Sequence, residues 1–314
     1  MKILVTGATG FIGSVFIRKL IRDTDYQITA FARNTNQKNL NRVDFLGNRV
    51  QLVYGDLLGD ISGLCEGIDF VVNFAAKTFV DHSIRDVSPF VETNTIGTMR
   101  LLEEAKRCAV KRFIQISTDE VYGSIKEGAY TEDAPLNPTN PYSAAKAGAD
   151  CLAIAYAHTF GLHTIITRTE NNYGEMQHPQ KVIPTFIKKV LDNELLPVYG
   201  DGSHVRQWLY VEDHCEAVLA LLQAENVNPG EVFHVAGNQE LSNLELARMI
   251  LSILSKPEMI KFIDDKGIRP GHDWRYALDC SKIKERIGWQ AKTNLIDGIS
   301  KTVKWYYDNQ WWLK

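Results

Sequence analysis

A chain of 314 residues with 45% hydrophobic and 23% charged residues has enough apolar side chains for one large α/β domain, or for a nucleotide-binding body with a smaller lobe, and it excludes a disordered polypeptide. A formal net charge of −3 excludes a generally basic nucleic-acid binder, while leaving a local basic pocket open. The five cysteines, Cys65, Cys108, Cys151, Cys215 and Cys280, are scattered and form no C-x-x-C, which argues against a disulfide framework or a metal site and for a reducing cytoplasm.

The chain opens on a short apolar run, Ile3 to Thr6, ended by Gly7. That is too short for a signal peptide. No later stretch reaches the roughly 20 apolar residues that cross a membrane, so a soluble protein is expected. Phe11, Ile12, Val15, Phe16 and Leu20 then recur at spacings of three and four, predicting an amphipathic helix to Ile21. Further strands are expected at Ile28 to Phe31, Val50 to Val53, Phe70 to Phe74, Arg112 to Ser117 and Thr164 to Thr167, with helices at Phe90 to Cys108 and Tyr142 to Phe160. Strands alternating with helices imply a doubly wound parallel sheet, with the ligand crevice at the strand carboxyl ends.

After about Asn171 the pattern is less regular, with helical segments at Pro184 to Leu191, Asn243 to Leu254 and Asn294 to Tyr307 between Pro/Gly turns. This reads as a smaller C-terminal α/β lobe closing over the crevice. Val211 opens a helix and Val232 to Val235 a strand that returns to the main sheet. The expected division is therefore a cofactor-binding body of 1–170 plus about 204–236, and a substrate lobe of about 171–203 plus 237–314.

Gly7-Ala8-Thr9-Gly10-Phe11-Ile12-Gly13 is a GxxGxxG turn between the first strand and the first helix, the context in which such a pattern binds a dinucleotide pyrophosphate at a helix N-terminus. An acid commonly ends the second strand and holds the NAD ribose; here Arg33 follows that strand, either to hold the 2′-phosphate of NADP or to be solvated. Asp56 and Leu57, after the third strand, are placed for adenine, although a plain turn aspartate explains Asp56 nearly as well.

Tyr142 and Lys146 are four apart at the start of a helix and share a face. A lysine ammonium and a nicotinamide cation would each favour the phenolate of a tyrosine whose ordinary pKa is about 10. Thr118-Asp119-Glu120-Val121 lies between a buried strand and this couple. Adjacent carboxyls can divide acid and base roles when burial and mutual repulsion raise one of them. A redox-assisted dehydratase needs this combination; a simple dehydrogenase does not.

With these motifs the chain resembles the extended short-chain dehydrogenase/reductase family. More narrowly it resembles the nucleoside-diphosphate-glucose 4,6-dehydratases, above all the dTDP-glucose enzymes. The resemblance runs end to end through Ile116 to Gly123, Asn171-Asn172-Tyr173-Gly174, Leu209 to His214, Arg269 to Asp273 and Ile287-Gly288-Trp289. It implies a Rossmann-like body, a tightly bound and recycled NAD, a nucleotide-sugar substrate, a homodimer, and no nucleic-acid or membrane partner. Thr9, Gly10, Phe11, Ile12, Gly13, Ala75, Ala76 and Lys77 would join Gly7, Arg33, Asp56, Leu57, Tyr142 and Lys146 around the cofactor.

The resemblance also implies catalytic roles. Tyr142 would take the proton of the sugar's fourth hydroxyl, which Thr118 holds, as that carbon is oxidised. Glu120 would remove the proton from the fifth carbon, and Asp119 would protonate the hydroxyl departing from the sixth. Asn171, Lys181, Arg206, Arg269 and His272 would form the sugar-nucleotide cradle, the arginines suiting phosphate. A surface role for Lys181 and a structural role for His272 serve as well.

Lys77 and Phe79 stand where the family usually has an acid and a histidine, and Glu170 where a small residue is usual. Lys77 and Glu170 could pair with each other or meet an altered sugar substituent. The alternative activity is a sugar-nucleotide epimerase or another dehydratase or oxidoreductase of the same family acting on UDP-, CDP- or GDP-sugars. Met99, Leu101, Leu102 and Ala105 would face either a dimer partner or the sheet, and Trp305, Trp311 and Trp312 would dock the last helix.

Overall fold

The computed structural model describes residues 1–33, 41–264 and 273–314. In chain order its strands are β1 (Lys2–Thr6), β2 (Gln27–Ala32), β3 (Val50–Tyr54), β4 (Phe70–Asn73), β5 (Arg112–Ile116), β6 (Thr164–Thr169), β7 (Asn171–Tyr173), β8 (Leu196–Tyr199), β9 (Val205–Tyr210), β10 (Glu231–Val235), β11 (Glu240–Ser242) and β12 (Ile260–Ile263). Seven of them form one sheet in the order β10-β6-β5-β4-β1-β2-β3, and every pairing in it is parallel. Parallel strands covered on both faces read as continuous apolar runs, which is why Ile3 to Val5 of β1 is legible as a strand. All six residues of β6 are buried.

Helices cover both faces of the sheet. On one, helix Phe11–Asp23 packs Phe16, Ile17 and Leu20 beside Val218 and Leu222 of helix Val211–Gln223. On the other, helix Gly97–Arg107 contributes Leu101, Leu102 and Ala105, and helix Pro141–Phe160 contributes Ala153 and Tyr156. Each fully buried side chain of Leu or Phe size stabilises the fold by roughly 1.5–3 kcal/mol relative to exposure. Leu101, Leu102 and Ala105 are thus sheet-facing core, while Met99 is 36% exposed.

The helix expected over Phe90 to Cys108 is not uniform. A short turn at Ser88–Phe90 runs into a π-helix at Val91–Ile96 before the α-helix begins at Gly97. The wide turns let Thr95 Oγ1 donate to the Ala145 carbonyl at 2.8 Å, tying this segment to helix Pro141–Phe160.

Val205–Tyr210 does not join the main sheet. It pairs antiparallel with β11 and parallel with β7, and β8 pairs with β12. The chain returns to the body through helix Val211–Gln223 and then β10. Around the small sheets a second core gathers Phe186 and Ile187 of helix Val182–Leu191, Leu246 and Ile250 of helix Asn243–Ile253, Ile299 and Tyr306 of helix Leu295–Asp308, and Trp312. No helix among the described residues is long and apolar enough to cross a membrane.

Candidate active site

Strand order reverses between β1 and β4, so their carboxyl ends diverge and leave a crevice. The glycine turn fills its floor. Gly7 has φ 65°, which favours glycine, and a Cβ there would lie 2.7 Å from the Phe74 carbonyl carbon. A Cβ on Gly13 would lie 2.5 Å from the Gly7 carbonyl oxygen. Backbone is therefore bare at the start of helix Phe11–Asp23, whose first turn has no side-chain cap; its N–H groups suit an anion such as a pyrophosphate. Behind the turn, Thr6 Oγ1 donates to Asn73 Oδ1, and Asn73 Nδ2 donates to Gln115 Oε1 at 2.8 Å. This buried polar row registers β1, β4 and β5.

A cavity of about 430 Å³ opens there, in the range of small-molecule sites. It is lined by Gly7, Thr9, Gly10, Phe11, Ile12 and Gly13, by Arg33, Asp56 and Leu57, and by Ala75 and Ala76. Thr118, Asp119, Glu120, Tyr142, Lys146, Asn171 and Lys181 line the same space.

Two expected residues, Lys77 and Arg206, lie off the cavity wall, and two more fall outside the described residues. Lys77 is held by its backbone, its N–H donating to Asn94 Oδ1 at 2.8 Å and its carbonyl accepting from Asn94 Nδ2 at 3.0 Å. It is not among the lining residues, and among the described residues it makes no ion pair with Glu170, whose Oε2 accepts from the Gly237 N–H. The guanidinium of Arg206 donates to the carbonyls of Val205, Asp273 and Trp274, with bonds of 2.7 to 3.1 Å. It therefore braces the strand and the 273–274 segment, although its charge still reaches Asp119 and Glu120. Arg269 and His272 lie outside the described residues.

The acid pair begins a 3₁₀ turn, Asp119–Tyr122, directly after β5. Thr118 caps it: its Oγ1 accepts from the Glu120 N–H at 3.3 Å and donates to Asp119 Oδ1 at 3.0 Å. Asn140 caps helix Pro141–Phe160 in a reciprocal box with Ser143, and Pro141 opens the first turn. This sets Tyr142 on the first turn and Lys146 one turn on, where Lys146 Nζ donates to the Ile116 carbonyl. Phenol, ammonium and both carboxyls thus converge from a helix start and a strand end onto one cavity.

Their electrostatics differ. Burial, then the Glu120 charge, pushes Asp119 up to about 7, against the Thr118 hydrogen bond. Burial also raises Glu120, opposed by Arg206, Lys181 and a bond with Asn140. Lys146 is lowered by burial to about 8, with Asp150 opposing. Tyr142 is raised by burial first and by Glu120 and Asp119 next. Within the protein alone the phenol is therefore raised rather than lowered, by burial first and the two carboxyls second.

Several lining residues gave no sequence signal. Arg42, Thr93, Gln177 and His178 come from loops or from the π-helix, whose positions depend on tertiary contacts. Phe79 stacks on His82 at 5.0 Å and meets His178 edge-on at 5.1 Å, with Lys181 Nζ 4.6 Å from its ring centre. This aromatic cluster forms one side of the cavity mouth. At the other end Arg33 Nη1 lies 4.0 Å from Asp56 Oδ2.

Comparison with known proteins agrees with this geometry. The family model described as GDP-mannose 4,6 dehydratase matches residues 4–302. The dTDP-glucose 4,6-dehydratase of Streptomyces niveus is 45% identical, covering 99% of this chain and 95% of its own. The structure of DesIV, a dTDP-glucose 4,6-dehydratase from Streptomyces venezuelae solved with NAD bound, is 41% identical with a TM-score of 0.93, covering 100% of this chain and 99% of that one. A UDP-glucuronic acid 4-epimerase from Bacillus cereus, solved with UDP-glucuronic acid and NAD, has the same TM-score of 0.93 at 30% identity, over 98% and 100%. The fold is thus shared with epimerases, while the sequence sits nearer the dehydratases: the chain belongs to the dTDP-glucose 4,6-dehydratase family of extended short-chain dehydrogenases/reductases.

Proposed function

We propose that this protein is an NAD-dependent nucleoside-diphosphate-hexose 4,6-dehydratase that converts dTDP-glucose to dTDP-4-keto-6-deoxyglucose. The observation that carries the reading is the meeting of Tyr142, Asp119 and Glu120 on one cavity beside the glycine turn. An epimerase needs the phenol but has no use for a raised acid next to a carboxylate.

The bare backbone at Gly7 to Gly13 fits a pyrophosphate, with Asp56 and Leu57 toward adenine and Ala75, Ala76, Tyr142 and Lys146 toward the nicotinamide. When bound, NAD supplies a reversible hydride acceptor for the sugar's fourth carbon and donor for its sixth. The protein's residues handle the protons. Tyr142 takes the proton of the fourth hydroxyl, which Thr118 orients, and positive charge near the phenol is required to offset the burial and the two carboxyls that raise it. The ketone so formed acidifies the hydrogen on the fifth carbon, and Glu120, as carboxylate, removes it; Arg206, Lys181 and Asn140 favour that charged form against its burial. Asp119, with its pKa near 7, donates to the oxygen leaving the sixth carbon as water. Glu120 then returns a proton to the fifth carbon. Asn171 and Lys181 hold the nucleotide diphosphate.

Arg33 is better read as the partner of Asp56 than as a 2′-phosphate ligand, in keeping with NAD. We assign cofactor binding to residues 1–170 plus the stretch ending near 236, and substrate binding to the lobe, with β9 counted in the lobe because of its pairing. A homodimer is supported by the apolar residues left exposed at Val91, Ile96 and Met99, and a cytoplasmic setting by five unpaired cysteines.

The test is incubation with dTDP-, UDP-, CDP- and GDP-hexoses. The expected result is loss of one water from dTDP-glucose without net cofactor reduction. Inversion without mass change, or accumulation of NADH, would replace this reading with the epimerase or oxidoreductase.

A further inference from the structure

Glu170 follows β6 directly, at the carboxyl edge of the sheet. It lines the cavity, is 3% exposed, and carries one oxygen with no partner: Oε2 accepts from the Gly237 N–H at 3.2 Å, and Oε1 has none among the described residues. Asp119 has the matching defect. It too is 3% exposed, its Oδ1 accepts from Thr118, and its Oδ2 has no partner among the described residues. An unsatisfied buried carboxyl oxygen is costly. Two of them within electrostatic reach, one on the acid of the reaction, suggest a bond formed during turnover. Among the described residues the charged groups facing Glu170 do not neutralise it: Asp119 and Glu240 are acids, and Arg275 is engaged by Glu240 at 2.6 and 2.8 Å, while the backbone of Leu278 also approaches its carboxyl. Cys280 also faces it, and Glu120, Arg206 and Tyr142 face Asp119.

We propose that Glu170 is a positioning residue for dehydration, a neutral carboxylic acid whose hydroxyl hydrogen-bonds Oδ2 of Asp119 as Asp119 gives up its proton. This rests on the dehydratase reading above. In the step, the C–H electrons at the sugar's fifth carbon form the new double bond, and that proton goes to Glu120. The bond from the sixth carbon to oxygen breaks with its electrons on oxygen, and the Asp119 proton completes water. Asp119 is left a buried anion with an empty lone pair direction, which the Glu170 hydroxyl fills. No oxidant or further reactant is involved. Burial first and Asp119 second raise Glu170 well above the ordinary carboxyl range, consistent with its staying neutral beside an ionising neighbour.

The experiment compares Glu170→Leu and Glu170→Gln in the full chain with NAD and dTDP-glucose, following oxidation at the fourth carbon and water loss separately in single turnovers. Glu170→Leu is expected to slow elimination about tenfold to a hundredfold, the loss for a hydrogen bond to a charged group, with oxidation unchanged. Glu170→Gln, which keeps an N–H donor, restores most of the rate. Unaltered elimination in Glu170→Leu, no rescue by Gln, or an equal loss in oxidation overturns the proposal.

An infrared difference spectrum of the wild type against Glu170→Gln, without substrate, gives an independent reading. A protonated-carboxyl band lost in the variant is expected, and a carboxylate band in its place overturns the assignment. This measurement also decides alone if the leucine variant does not fold. Because it needs no turnover, it stands even where no nucleotide sugar is dehydrated, an outcome that would sink only the proposed activity.

Discussion

The indole of Trp312 lies over the guanidinium of Arg42, with 4.9 Å from Cζ to the ring centre. Arg42 in turn donates from Nη1 to the Thr9 carbonyl at 3.2 Å, and from Nε and Nη2 to the Met176 carbonyl at 3.0 and 2.9 Å. The far end of the chain thereby braces the cofactor turn. Trp312 Nε1 and Tyr306 Oη both donate to the Gln177 carbonyl, at 2.9 and 3.0 Å, fixing the segment in which Met176 takes φ 60°.

Trp312→Ala is therefore expected to destabilise the protein by about 3–5 kcal/mol, as for other large buried aromatics, and to weaken NAD retention through the loosened turn. Urea titration reads the first and cofactor retained through gel filtration the second. Trp311, 49% exposed, is the control: its alanine variant should shift stability by about 0.5 kcal/mol or less. Equal effects from both tryptophans would show that the contact with Arg42 does not matter.

Glu120→Gln is expected to leave oxidation of the fourth carbon intact and stop elimination. The amide cannot accept the proton of the fifth carbon, while Tyr142 and Thr118 remain. Reduced cofactor should build up during a single turnover, and deuterium from solvent should not enter the fifth carbon. Normal product formation would remove Glu120 from the role of base.

The main sheet and the catalytic motifs were readable because their signals are local. β1, β2, β4, β5 and β6 are buried apolar runs, and the capped helix start before Tyr142 is written in Asn140-Pro141-Tyr142-Ser143. In the lobe, the Val205 to Leu209 run is strand-like in sequence, but the short strands beside it are not readable. β7 and β11 have three residues each, mostly polar, and are strands only because β9 lies between them. Arg42 escaped for a similar reason: its carbonyl partner at Met176 is 134 residues away. Of the two readings for Lys77 and Glu170, the mutual pair is not formed among the described residues: Asn94 holds the Lys77 backbone, a contact that sequence adjacency does not encode.

Asp119 makes a pH-dependent cost visible. Its folded pKa of about 7 lies above the ordinary aspartate value of about 4, so the folded state holds a proton that the unfolded state releases between these values. Stability from this group falls as pH rises from about 4 to 7, by up to roughly 4 kcal/mol in total. Asp119→Asn should consequently be more stable than the wild type at pH 8, with the gap closing toward pH 4, and should lose elimination. Elimination by the wild type should fall as pH rises through about 7, where the acid form is lost. A constant gap between the two proteins across that range would contradict the buried, raised acid.

Asp150 joins stability to catalysis in one side chain. Its Oδ2 accepts from Arg168 Nε at 3.0 Å, with the two side chains 0% and 3% exposed, and Arg168 Nη1 also donates to the Tyr122 hydroxyl. Replacing both ions by apolar groups can be neutral, but removing one strands the other; Asp150→Ala is expected to cost about 3–5 kcal/mol. Asp150 is also the charge that keeps Lys146 from falling further below its ordinary range. Asp150→Asn should therefore move the Lys146 pKa below about 8, and the alkaline limb of sugar oxidation should shift to lower pH with it. The limb belongs to oxidation because Lys146 lies one turn from Tyr142, on the face that meets the sheet edge. A variant that unfolds earlier in urea yet keeps the wild-type limb would separate the two roles and confine Asp150 to holding Arg168.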